Sequence, residues 1–285
     1  MARGYVTTPW GQVHYQEAGA GTPILLIPGG GQSHLIFDRE IAVLSESHRV
    51  VLVDLPGHGF SDPLPEGATF ELVAEGLVHV LDALGIDSAH VYGANAGNKI
   101  GAALAVGWPQ RVRKFVFLGN SHSIIPDMAE RNAQTRTFGT HFPRPGELPE
   151  LSPFRRWAET EKKITELWWP PALFQPDVMA DGKLPAQIRA QVLNMLLAYQ
   201  NVGLFYEANL AYDLERDLKR LRCPTLVVEI TTPSEDGHIG RQGSTLLSLI
   251  PGSELLTIEE GTGFDAMRDS VAERVGDAIV DFLDR

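Results

Sequence analysis

Three short apolar runs in the first hundred residues each end in a glycine-bearing turn, and this recurrence constrains the fold more than any other feature. Pro23–Ile27 leads into Pro28-Gly29-Gly30-Gly31-Gln32-Ser33-His34. Arg49–Val53 leads into Asp54-Leu55-Pro56-Gly57-His58-Gly59-Phe60-Ser61-Asp62, and Val91-Tyr92 into Gly93-Ala94-Asn95-Ala96-Gly97. Continuous apolar runs suit strands covered on both faces, as in a parallel sheet. Glycines at the carboxyl ends of such strands let the backbone approach a ligand and aim its N–H groups into the crevice.

Helical spacing fills the intervals. Leu72, Val73, Leu77, Val80, Leu81 and Leu84 predict a helix over 70–84, closed by Gly85 as a C-terminal cap. A second helix is predicted from Ala96 to Gly107, ended by Trp108-Pro109, and a strand at Phe115–Leu118. Prolines then cluster and the apolar spacing turns helical. Strand rhythm resumes at Pro224–Ile230, followed by a helix at Ser244–Ile250, a strand at Glu254–Ile258 and a helix at Val271–Leu283. The expectation is an α/β chain with a doubly wound, mostly parallel sheet. Its core comprises residues 1–120 and 222–285, with a helical cap over 121–221.

The 285 residues suffice for one large domain with an insertion, and 44% hydrophobic with 21% charged content is ordinary for a globular chain. A formal net charge of −12 argues against a nucleic-acid partner, because neutralising phosphates needs a basic surface. No apolar run reaches the roughly 20 residues of a membrane span, and Met-Ala-Arg-Gly-Tyr has no apolar signal core, so a cytoplasmic location is expected. The one cysteine, Cys223, excludes an internal disulfide and a cysteine-based zinc cluster and reads as a structural thiol; no metal or cofactor is expected.

The three turns together resemble the α/β-hydrolase superfamily, in its capped esterase, epoxide-hydrolase and dehalogenase-like branch. D-x-P-G-H-G-x-S is similar to a hallmark turn of that family. Gly93–Gly97 is similar to its nucleophile elbow, a strained strand-to-helix bend that exposes one side chain. The resemblance spans nearly the whole chain. It implies an elbow nucleophile, a histidine after the last strand and a carboxylate that orients the histidine.

At those positions the chain departs. Asn95 stands at the elbow, and an amide is a very poor nucleophile near neutral pH. In the turn Gly261-Thr262-Gly263-Phe264, phenylalanine occupies the histidine position. For the acid, Asp236 is preferred and Glu235 is second. What the resemblance leaves intact is an oxyanion hole of backbone N–H groups, from Ala96 and from Gly30 or Gly31.

Relocated bases are sought in His34, after the glycine-rich loop, and His238, in the acid loop. Asn95, His34, Asp236 and His238 are thus the candidate catalytic residues. Phe264, His122, Trp168 and Trp169 are candidate ligand contacts under the cap, where Phe205 and other aromatics also fall. Lys99, one helical turn beyond Asn95, reads as solvated or salt-bridged. The expected ligand is a small apolar carbonyl-type molecule, handled by non-hydrolytic or atypical chemistry. Two alternatives stay open: a catalytically inactive binder of a ligand or partner, and a hydrolase carrying inactivating engineered substitutions. The sequence carries no reading of oligomeric state.

Overall fold

The computed structural model describes residues 1–37, 39–119, 124, 129, 157–158, 192–198, 201–231, 240–259 and 269–285. Eight strands form one sheet: β1 (Ala2–Thr8), β2 (Gly11–Ala18), β3 (Thr22–Ile27), β4 (His48–Val53), β5 (Ala89–Ala94), β6 (Val112–Leu118), β7 (Thr225–Thr231) and β8 (Glu254–Glu259). Their order is β1-β2-β4-β3-β5-β6-β7-β8. β1 and β2 form an antiparallel hairpin and β2 runs antiparallel to β4; every later pairing is parallel. The sheet is the doubly wound, mostly parallel one that the sequence predicts.

The helices are α1 (Glu40–Leu44), α2 (Phe70–Ala83), α3 (Gly97–Gly107), α4 (Val202–Ala211), α5 (Leu214–Leu218), α6 (Gly243–Leu249) and α7 (Asp269–Asp284), with a 3-10 turn at His34–Phe37. α2 starts where Thr69 Oγ1 accepts the Leu72 N–H at 3.2 Å, and stops before Gly85, whose φ of 66° is the left-handed cap the sequence calls for. The later helices and strands fall within two residues of their predicted bounds, except that β6 starts three residues before the predicted Phe115. The β1–β2 hairpin is absent from the sequence reading. Its side chains are mostly exposed or half-buried, with Val6, Thr8, Val13 and His14 as the buried exceptions, so it never reads as a continuous apolar run.

Alternation along the central strands divides the core between the two faces of the sheet. Leu25, Ile27, Val51, Val53, Val91, Phe115 and Phe117 pack beneath α2 and α3. Ile24, Leu26, Val50, Leu52, Tyr92, Val116 and Val228 pack with Phe37, Ile41 and Leu44 and with Val275, Ile279 and Phe282 of α7. Register sets the carboxyl ends of the inner strands side by side: Ile27 pairs with Gly93, and Gly93 with Phe117. The three glycine-bearing turns therefore open on one edge of the sheet. The expected cap segment lies between β6 and β7, and its described helices include residues 192–198, α4 and α5.

Candidate active site

The turn after β5 is a strained elbow. Asn95 has φ 51°, the one described non-glycine residue at positive φ, and its side chain is exposed where β5 hands over to α3. Asparagine tolerates this left-handed conformation better than most residues. The flanking glycines are steric requirements. A Cβ on Gly97 would strike the carbonyl oxygen of Ile27, and one on Gly93 would stand 2.8 Å from backbone atoms of Asn98 and Gly97. The bend is held from below by Asn98, which donates from Nδ2 to the Leu118 carbonyl at 2.7 Å and accepts the Leu118 N–H on Oδ1 at 3.1 Å. Asn95 itself donates its N–H to the same carbonyl at 3.0 Å.

The first glycine-rich loop lies against this apex: a Cβ on Gly29 would be 3.3 Å from the Asn95 Cβ. Gly29 donates to Gln32 Oε1, which stiffens the loop. Among the described residues nothing accepts from the N–H groups of Gly30, Gly31 and Ala96. Unused donors beside an exposed apex are what a forming or bound oxyanion requires.

Helices from the segment between β6 and β7 roof the loop. The Phe205 ring leaves no room for a Cβ on Gly30, and Met195 leaves none on Gly31. Ser33 Oγ donates to Asn194 Oδ1, and the Leu64 N–H donates to Asn201 Oδ1 at 2.9 Å. Phe205 is buried, its ring 4.8 Å from that of His58 and 5.1 Å from that of Phe70. A concavity of about 400 Å³ opens between the start of α2 and α4–α5; Asn95 does not line it.

His34 is held by Asp54. The fully buried carboxylate takes the His34 N–H at 2.8 Å and His34 Nδ1 at 2.9 Å on Oδ1, and His14 Nδ1 at 2.8 Å and the Phe60 N–H at 3.1 Å on Oδ2. Burial works to raise the Asp54 pKa, but the bonds from His34 and Phe60 outweigh it and leave the pKa below the usual carboxylate value. With the carboxylate ionised, both imidazoles donate from Nδ1–H, and the rings pack at 5.1 Å. Ligand-capable atoms of His14, His34 and Asp54 lie within 4.8 Å of one another. The contacts among them are donor–acceptor pairs, so hydrogen bonds alone close the cluster. In the sequence Asp54 stands only as part of a turn, and no motif singles out His14. The cluster joins β2, the loop after β3 and the end of β4, and no spacing announces it.

Lys99 is a correction. Expected in solvent or in a salt bridge, it is 3% exposed, its Nζ donates to the Asn209 carbonyl at 2.5 Å, and no carboxylate pairs with it among the described residues. Burial lowers its pKa to about 7. His58 is also fully buried, with Nδ1 on the Pro56 carbonyl at 3.1 Å, and burial lowers its pKa to about 4. Asp236, Glu235, His238, His122, Phe264, Trp168 and Trp169 lie outside the described residues.

Residues 22–154 match a family model described as the alpha/beta hydrolase fold. The chain has the α/β-hydrolase fold. An esterase from Exiguobacterium antarcticum superposes with a TM-score of 0.77 over 99% of each chain at 16% identity, which shows the fold. A protein of Azorhizobium caulinodans, RutD, whose name proposes a carbamate hydrolase, is 28% identical over 91% of both chains. A 2-hydroxy-6-oxononadienedioate/2-hydroxy-6-oxononatrienedioate hydrolase of Paraburkholderia phymatum is 37% identical over 38% of this chain, and the match spans 40% of that protein. The chain is thus similar to proteins named as hydrolases. No helix among the described residues is long and apolar enough to cross a membrane.

Proposed function

We propose that this protein binds a small apolar carbonyl compound above Asn95 and polarises its oxygen with the N–H groups of Ala96 and of Gly30 or Gly31, without an elbow nucleophile. The observation that supports this is the pairing at one apex: a strained, exposed residue 95 in the nucleophile's place, carrying an amide, beside backbone donors that no described residue occupies. An amide cannot attack the carbonyl carbon, but its N–H can add one more donor to the polarised oxygen. Chemistry at such a site is restricted to steps in which a polarised carbonyl loses or gains a proton. We assign the proton transfer to His34, whose Nδ1–H is held by Asp54 so that Nε2 is left as the base. The relatives named as hydrolases of oxo acids and carbamates are consistent with a carbonyl ligand.

p-Nitrophenyl acetate tests the reading. The protein as it stands is expected to show no turnover above background, whereas Asn95→Ser combined with Phe264→His is expected to gain measurable hydrolysis. Turnover by the unmodified chain at about 10 s⁻¹, the ordinary enzymatic range, would refute the absence of a nucleophile.

A further inference from the structure

Lys99 is a buried nitrogen that the reading above leaves unused. It lies in the first turn of α3, four residues beyond Asn95, and side chains on a helix lean toward its N-terminus, here toward the elbow. One of its three N–H groups is used by the Asn209 carbonyl on α4; among the described residues the others have no acceptor. Asn209 Oδ1, on that same partner residue, is itself buried without a hydrogen-bond partner. The other two described lysines are placed differently. Lys219 pairs with Glu215 at 2.6 Å in solvent, and Lys114 caps the carbonyls of Phe282 and Leu283. A buried cation with no counter-charge is costly, and a lysine in that position sheds its proton.

We propose that Lys99 is a covalent docking point, its amine condensing with an aldehyde or ketone to form a Schiff base beside the elbow. The nitrogen lone pair attacks the carbonyl carbon, and a proton passes from nitrogen to oxygen to give a carbinolamine. Loss of water then leaves the C=N bond. Asn209 Oδ1 supplies an acceptor for the carbinolamine hydroxyl. The near-neutral pKa of Lys99 keeps about half of the amine free at pH 7, against less than one part in a thousand for an ordinary lysine. The inference rests on the proposed function only for the carbonyl class of the ligand.

Acetaldehyde with sodium cyanoborohydride, applied to the full chain at pH 7 and followed by peptide mass spectrometry, reads the site directly. Lys99 is expected to carry the N-ethyl label at least about tenfold ahead of Lys114 and Lys219. Lys99→Met is expected to lose that label while the remaining lysines react as before. Labelling of Lys99 no faster than Lys114 or Lys219 would overturn the proposal. The same measurement on Asn95→Ala separates the two readings. Lys99 labelling is expected to persist there, so a failure of the Asn95 reading shows in the ester assay and leaves this one standing.

Discussion

Asn98 and Leu118 exchange two hydrogen bonds, side chain to backbone in both directions, although twenty residues separate them. The amide completes the ladder between the start of α3 and the end of β6, and Asn98 is fully buried. Removing it leaves a buried N–H without a partner and takes one donor from a carbonyl. Asn98→Ala is expected to lower the unfolding free energy by about 2–3 kcal/mol, read from urea denaturation at constant slope. A loss under about 0.5 kcal/mol would mean that the elbow is held by packing instead.

The conformation of Asn95 is a separate cost. At φ 51° a side chain meets the following carbonyl, which costs roughly 1–2 kcal/mol for ordinary residues and little for glycine. Asn95→Gly is therefore expected to be about 1 kcal/mol more stable than Asn95→Ala, with Asn95→Val below both. Thermal melts of the three variants would show the order. An alanine variant as stable as the glycine one would contradict the strained turn.

These two residues show what was legible in the sequence. Gly93 and Gly97 are demanded by backbone approach, a requirement that only glycine meets, so the elbow can be read from five letters. The continuous apolar strands are legible for a similar reason, since both faces of the sheet are covered. The Asp54 cluster and the burial of Lys99 were not. A lysine reads as solvent-exposed until a helix 110 residues later covers it; His14 acquires its partner only when β2 pairs with β4, and His34 only when β3 does. The oxyanion donors lie between: the glycines predict backbone N–H groups aimed into the crevice, and the structure adds that Phe205 and Met195 close over the loop.

Asp54 gathers donors from three segments, so its removal should act on the fold first. Asp54→Asn replaces an acceptor with an amide that must turn at least one N–H toward donors already present. A loss of about 3 kcal/mol or more is expected. The pH dependence has a fixed sign. The folded-state pKa of Asp54 is depressed, so its contribution is complete above the ordinary carboxylate pKa and is lost as pH falls through the lower folded value. Unfolding curves of parent and variant should therefore converge below about pH 4. Parallel curves down to pH 2 would show that Asp54 has the same pKa folded and unfolded, against a depressed one.

Lys99 predicts the opposite end of the scale. Its folded pKa of about 7 lies below the ordinary lysine value of about 10.4, so between those two values the unfolded chain binds more protons than the folded one. Stability attributable to this residue thus rises with pH across that window, by at most about 1.4 kcal/mol per unit. Below about pH 7 both states hold the proton, and the full cost of burying the charge is present. Lys99→Met, which keeps the length and removes the charge, should be the more stable protein at pH 6 and lose that advantage progressively toward pH 10. Denaturation of the pair at pH 6, 8 and 10 decides the matter. A difference independent of pH would mean that Lys99 keeps its proton throughout, held by an acid outside the described residues.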